Sequence, residues 1–226
     1  MPTILLGLAA MLHPIGFAAA EKWPSGPFLQ STEHTCRPSL KAFPKWLAVR
    51  ERYAKQTEVI ESDVMSRLMD ISFLDGWHDR IKRLSGRERM DQLREVNAFF
   101  NEKPYVDDVS AAGTKDDWKT PYEFLRESGD SEDYAIAKFF MLRELGVGND
   151  DIRIVVVQDL ELRIPHAILA VRVDQVIWAL DNQLAAVIPV DKIQHYSAIF
   201  SVNETGWCRY KGRRTKRSTG RRKSSD

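Results

Sequence analysis

At 226 residues the chain suits one compact domain with some residues left over for tails, and an apolar share of 43 % is ample for a core. Wholesale disorder is excluded on that composition, and a formal charge of only +1 argues against a generally basic nucleic-acid binder. The average hides a split: from Arg209 to Asp226 nine Lys or Arg face one acid, a net +8, which leaves −7 on residues 1–208.

The first twenty residues, MPTILLGLAAMLHPIGFAAA, carry an apolar run and then Ala18, Ala19 and Ala20 ahead of Glu21. Small residues after a short hydrophobic region read as an export signal, which places the chain in the periplasm or outside the cell. No Lys or Arg precedes the run, and His13–Pro14 interrupts it, so an uncleaved N-terminal anchor and a mis-set start codon stand as alternatives. The run is too short for a comfortable membrane span. Residues 21–42, rich in Pro, Ser and Thr, read as an extended lead-in to a single domain over 43–208.

Two cysteines, Cys36 and Cys208, sit near opposite ends of that chain. Export with an even count invites a disulfide, but two is the weakest even number, and the pairing stays open.

From Phe43 the pattern is helical: PKWLAVRERYAKQ spaces Trp46, Leu47 and Tyr53 among charges, with Pro44 tolerated in a first turn. DGWHDRIKRL and GRERMDQLREVNAFFNE repeat the style, the latter with Leu93, Val96, Phe99 and Phe100 as an apolar face. Thr120–Pro121 opens a short helix that Gly129 ends. A helix from Ser131 to Leu145 follows, apolar nearly all round and therefore central, with Gly146 as its C-cap. The period then changes to two. IRIVVV, HAILAVRV and QVIWAL read as antiparallel strands. The fold class is α+β: N-terminal helices and one buried helix packed on an antiparallel sheet. From Arg209 the basic tail has almost nothing to bury and reads as disordered, a solubilising extension rather than a nucleic-acid site.

A small polar nucleophile at the start of a buried helix, with a histidine and a carboxylate on neighbouring strands, is a known catalytic arrangement. His166 begins HAILAVRV, and Asp181 follows VIWAL. A two-residue turn at Asp174–Gln175 would set Val173 opposite Val176 and His166 opposite Gln183, with Asp181 on the same face as His166. Asp-Gln is a weak hairpin signal, and a three-residue turn would break that parity.

These residues carry a resemblance. DDWKTPYEFLRESGDSEDYAIAKFFMLRELGV, then PHAILAV and ALDN, resembles the bacterial transglutaminase-like cysteine peptidases over roughly residues 90–190. Within that family it resembles the LapG-type periplasmic proteases that release biofilm adhesins. The resemblance implies a papain-like triad, with the nucleophile at Ser131, the base at His166 and the orienting acid at Asp181. It also implies calcium, held by Asp130, Glu132 and Asp133, whose oxygens suit a hard cation. A polypeptide substrate, a surface adhesin in that family, and an inner-membrane regulatory receptor are implied as partners.

The family nucleophile is cysteine, and Ser131 is serine. A helix N-terminus stabilises a thiolate, whereas a hydroxyl gains little there at neutral pH. The resemblance therefore leads to a scaffold with impaired chemistry, a pseudoenzyme that keeps substrate or partner binding. A hydrolase working through Ser131 and a non-catalytic interaction module are the alternatives. Read without the resemblance, Ser131 or Asp130 is a helix cap, His166 a satisfied structural histidine and Asp181 a turn former.

Overall fold

A computed structural model describes Trp23 and residues 28–60, 74–107 and 118–212. The export signal expected at residues 1–20, and the basic tail from residue 213, lie outside the described residues. Among the described residues, five α-helices and one seven-stranded antiparallel sheet make an α+β fold. The helices are α1 (Pro44–Ile60), α2 (Asp75–Leu84), α3 (Arg89–Asn101), α4 (Pro121–Glu127) and α5 (Ser131–Glu144). The strands are β1 (Ser31–Arg37), β2 (Ile152–Asp159), β3 (Pro165–Val173), β4 (Val176–Leu180), β5 (Ile188–Pro189), β6 (Tyr196–Val202) and β7 (Trp207–Gly212), in the spatial order β1-β7-β6-β2-β3-β4-β5.

The sheet is buried on both faces, which is why β3 reads as a nearly unbroken apolar run. Ile152, Ile154, Leu169, Val171, Leu180 and Val202 face the helices. Val155, Val157, Ile168, Ala170, Ala179 and Ala198 face a second core that Trp23, Phe28 and Leu29 help to close. The N-terminal segment read as a lead-in is thus part of the fold: it supplies that cover and the edge strand β1. Similarly, the tail boundary drawn at Arg209 falls inside β7, because Cys208 and Tyr210 alternate into the second core and hold Arg209 to Gly212 in the ladder.

Cys36 and Cys208 are direct partners across β1 and β7 and form a disulfide. The sequence left this open because the pairing depends on the first strand meeting the last.

Helix α5 lies against β3 and β2 on one side and α3 and α4 on the other. Eleven of its residues are buried, so its all-round apolar sequence follows from its place between layers. Gly146 closes it with φ +85°, a conformation that favours glycine. Trp46 and Tyr53 of α1 are buried as expected, while Leu47 is exposed. Leu93, Val96 and Phe100 form the buried face of α3, and Phe99 sits at its rim under the guanidinium of Arg80.

Candidate active site

Three backbone features aim the site. The turn between β3 and β4 has Asp174 and Gln175 at φ 49° and 65°, the two left-handed residues of a type I′ turn. It sets Val173 opposite Val176 and Leu169 opposite Leu180, the register on which Asp181 shares a face with His166. At the other end, Asp130 is the N-cap of α5, and a capping box links it to Asp133. Between α4 and α5 the chain turns through Ser128 at φ 62° and is pinned by Val106 N–H to Gly129 O at 2.9 Å.

His166 and Asp181 are both buried and meet at 2.8 Å, Nε2 to Oδ1. Asp181 Oδ1 also accepts from Gln183 N–H at 2.9 Å, and Oδ2 accepts from the Tyr196 hydroxyl at 2.8 Å. Burial alone would raise the Asp181 pKa. The bonds from His166, Gln183 and Tyr196 outweigh it and hold the carboxyl below its ordinary value. An ionised carboxylate can only accept, so His166 Nε2 carries the proton and Nδ1 is left as the basic atom. Gln183 Nε2 approaches that Nδ1 at 3.5 Å.

Ser131 occupies the first turn of α5 and is buried. Its Oγ accepts from Ala167 N–H at 3.2 Å, the residue next to His166, and donates to Glu132 Oε2 at 3.2 Å. It makes no hydrogen bond to His166. The fold therefore brings the three expected site residues to one place, with the hydroxyl engaged by the backbone of β3 and not by the imidazole.

Sequence reasoning passed over a second layer. Lys138, two turns along α5 from Ser131, is fully buried and donates to Asn97 Oδ1 at 2.8 Å and Asn101 Oδ1 at 2.7 Å. Asn101 in turn donates to the Asp181 carbonyl at 2.8 Å and to Leu184 O at 3.2 Å. Burial lowers the Lys138 pKa to about 7, and only the nearby Asp181 charge opposes it. The one signal in the sequence was a lysine amid an apolar helix. Tyr196 left none, because its contact depends on β6 crossing to β2.

Of the three acids expected to bind calcium, Asp133 is the buried one. Its Oδ1 accepts from Lys119 N–H at 2.7 Å. Its Oδ2 takes the Lys119 ammonium at 3.2 Å and Asp130 N–H at 3.3 Å. Burial pushes the Asp133 pKa up to about 6, against the lowering effect of Lys119 and with a smaller push from Glu132. Gly129 is required here by space, since a Cβ there would stand 2.0 Å from Asp133 Oδ2. Among the described residues, ligand atoms of Asp130, Glu132 and Asp133 do not converge within 4.8 Å. The acids as arranged do not fit a shared divalent cation. The group that does converge, Glu33 with Cys36 and Cys208, has its sulfurs tied in the disulfide.

The sequence profile of the bacterial transglutaminase-like cysteine proteinases matches residues 76–213, which contain this whole site. The chain belongs to that family. Among solved structures it is similar to calcium-bound LapG of Legionella pneumophila, with 27 % identity, a TM-score of 0.57 and coverage of 70 % of this chain and 86 % of that one. The EGTA-treated form of the same protein gives 27 % identity, a TM-score of 0.58 and coverage of 71 % and 85 %. No curated protein matches the sequence. As a member of a peptidase family the chain has a polypeptide as its expected class of substrate. Among the described residues no helix is long and apolar enough to cross a membrane.

Proposed function

We propose that this chain is an exported, adhesin-processing type of transglutaminase-like peptidase whose hydrolysis is impaired because Ser131 stands where the family has its cysteine. The carrying observation is the juxtaposition of the buried His166–Asp181 pair with Ser131 Oγ held on the neighbouring Ala167 N–H. In this reading His166 Nδ1 is the general base, Asp181 fixes its tautomer, and Tyr196 and Gln183 keep Asp181 ionised and aimed. A cysteine at position 131 would store a thiolate–imidazolium pair before substrate arrives. A serine must lose its proton during attack, and here its oxygen is committed to Ala167 and Glu132. Loss of a nucleophile costs on the order of 10⁶ in rate in a well-studied protease.

Polypeptide binding survives that loss. The β2–β3 hairpin ends directly before His166 and presents Leu160, Leu162 and Ile164 to solvent, each roughly half exposed. The tip is tied by hydrogen bonds: Asp159 Oδ1 accepts from Glu161 and Leu162 N–H, both at 2.8 Å, and Asp159 N–H donates to Ile164 O at 2.9 Å. An apolar, ordered rim beside the histidine suits an extended segment of substrate, or a regulatory receptor of the inner membrane. The disulfide supports an oxidising compartment, the periplasm or beyond. Calcium is not part of this reading, because Asp133 is held by Lys119.

The test is cleavage of an adhesin N-terminal fragment by the wild type and Ser131→Cys side by side. Cleavage by Ser131→Cys alone is expected. Equal cleavage by the wild type would make this a working serine hydrolase, and no cleavage by either would refute the substrate class or the catalytic role of the pair.

A further inference from the structure

We propose that the Lys119 ammonium takes the place of a divalent cation at the mouth of α5, so that this chain orders its site without calcium. Asp133 is 1 % exposed, and a carboxylate that deep needs a counter-charge or a neutral proton. The N-terminus of α5 adds the positive end of a helix dipole, but Glu132 and Asp130 flank it with two more acids. The group that meets the excess is Lys119, bonded to both oxygens of Asp133, once through its backbone and once through its side chain.

Lys119 is set there by its neighbours. Trp118 O accepts from Arg52 Nη2 at 2.6 Å, and Thr120 is the N-cap of α4 with a full capping box to Glu123. With both flanking residues fixed, the ammonium is delivered to Asp133 with a side chain only 20 % exposed, where solvent screens the pair weakly. Calcium takes six to eight oxygens at about 2.3–2.6 Å. To use Asp133 it would have to bind beside a fixed positive charge on the same oxygen, and the repulsion opposes it. The crowding of Asp133 against Gly129 closes the other escape, since the carboxylate cannot swing toward the chain behind it.

The experiment is calorimetric titration of EGTA-stripped full-length chain with calcium chloride, together with thermal melts in calcium and in EGTA. It is run on wild type, Lys119→Met and Lys119→Arg. No readout depends on hydrolysis, so the result stands apart from the catalytic reading. Wild type and Lys119→Arg are expected to show no calcium-dependent shift. Lys119→Met is expected to bind calcium at least about a hundredfold more tightly than wild type and to melt higher in its presence, as ligand charge count and site chemistry set such affinities. Stoichiometric calcium binding by wild type overturns the proposal, and so does a folded Lys119→Met that gains no affinity. If Lys119→Met fails to fold in EGTA, recovery on adding calcium supports the proposal and failure to recover overturns it.

Discussion

Replacing Lys138 by methionine tests whether a buried ammonium underlies the site. In the fold Lys138 touches Asn97 and Asn101 of α3, the Tyr134 ring of its own helix and the field of Asp181. Its pKa falls from 10.5 to about 7 on burial. A lysine with a depressed folded pKa binds fewer protons folded than unfolded between those values, so stability rises with pH across that window. The full span is about 5 kcal/mol, and roughly half of it is recovered between about pH 6.5 and 9. Two other groups bracket the window. Asp133, raised to about 6, makes stability fall as pH rises toward 6 and is flat above it, while the buried tyrosines, with pKa values raised above 10, act only beyond pH 10. Wild type and Lys138→Met are compared by urea unfolding at several pH values, so that groups common to both cancel. Wild type should gain about 2–3 kcal/mol more than the variant between those limits. At every pH the variant leaves the Asn97 and Asn101 amide oxygens without their lysine donor, at about 1–3 kcal/mol each, and at the lower pH the removed cost of burying charge offsets this. Parallel pH profiles for the two proteins would refute the account of Lys138 as a buried titrating group.

Two further outcomes follow from the same contacts. The disulfide joins positions 172 apart in sequence, so the Cys36→Ser, Cys208→Ser double variant should lose up to about 5 kcal/mol by the chain-entropy estimate. Thermal melts with and without reductant check it, and an unchanged midpoint would mean that β1 frays independently of the rest. Asp181→Asn should invert the His166 tautomer, because an amide can donate to Nε2 and push the proton to Nδ1. Nitrogen-15 NMR of the imidazole reads this directly, and cleavage by a Ser131→Cys, Asp181→Asn double variant should fall about 10³- to 10⁴-fold below Ser131→Cys.

How much was legible in advance varies by element. Period-two runs in β2, β3 and β4 and the apolar stretch of α5 are local signals, and each forms where the pattern put it. The hairpin parity that joins His166 to Asp181 was also local, resting on one two-residue turn. By contrast the edge strand β1 and its neighbour β7 are weakly apolar, and their burial comes from each other and from the second core, so their residues read as lead-in and tail.

The sequence by itself determined the class of fold, the family and the shared face of His166 and Asp181, because those features are written in spacing and in a contiguous motif. Tertiary structure decided what each charge does. Asp133 belongs to Lys119, fourteen positions earlier, and Lys138 to two asparagines on another helix. Cys36 belongs to Cys208 across the sheet edge. The physical reason is common to all three: a pairing is worth forming according to burial and distance in space, and neither quantity is carried by sequence separation.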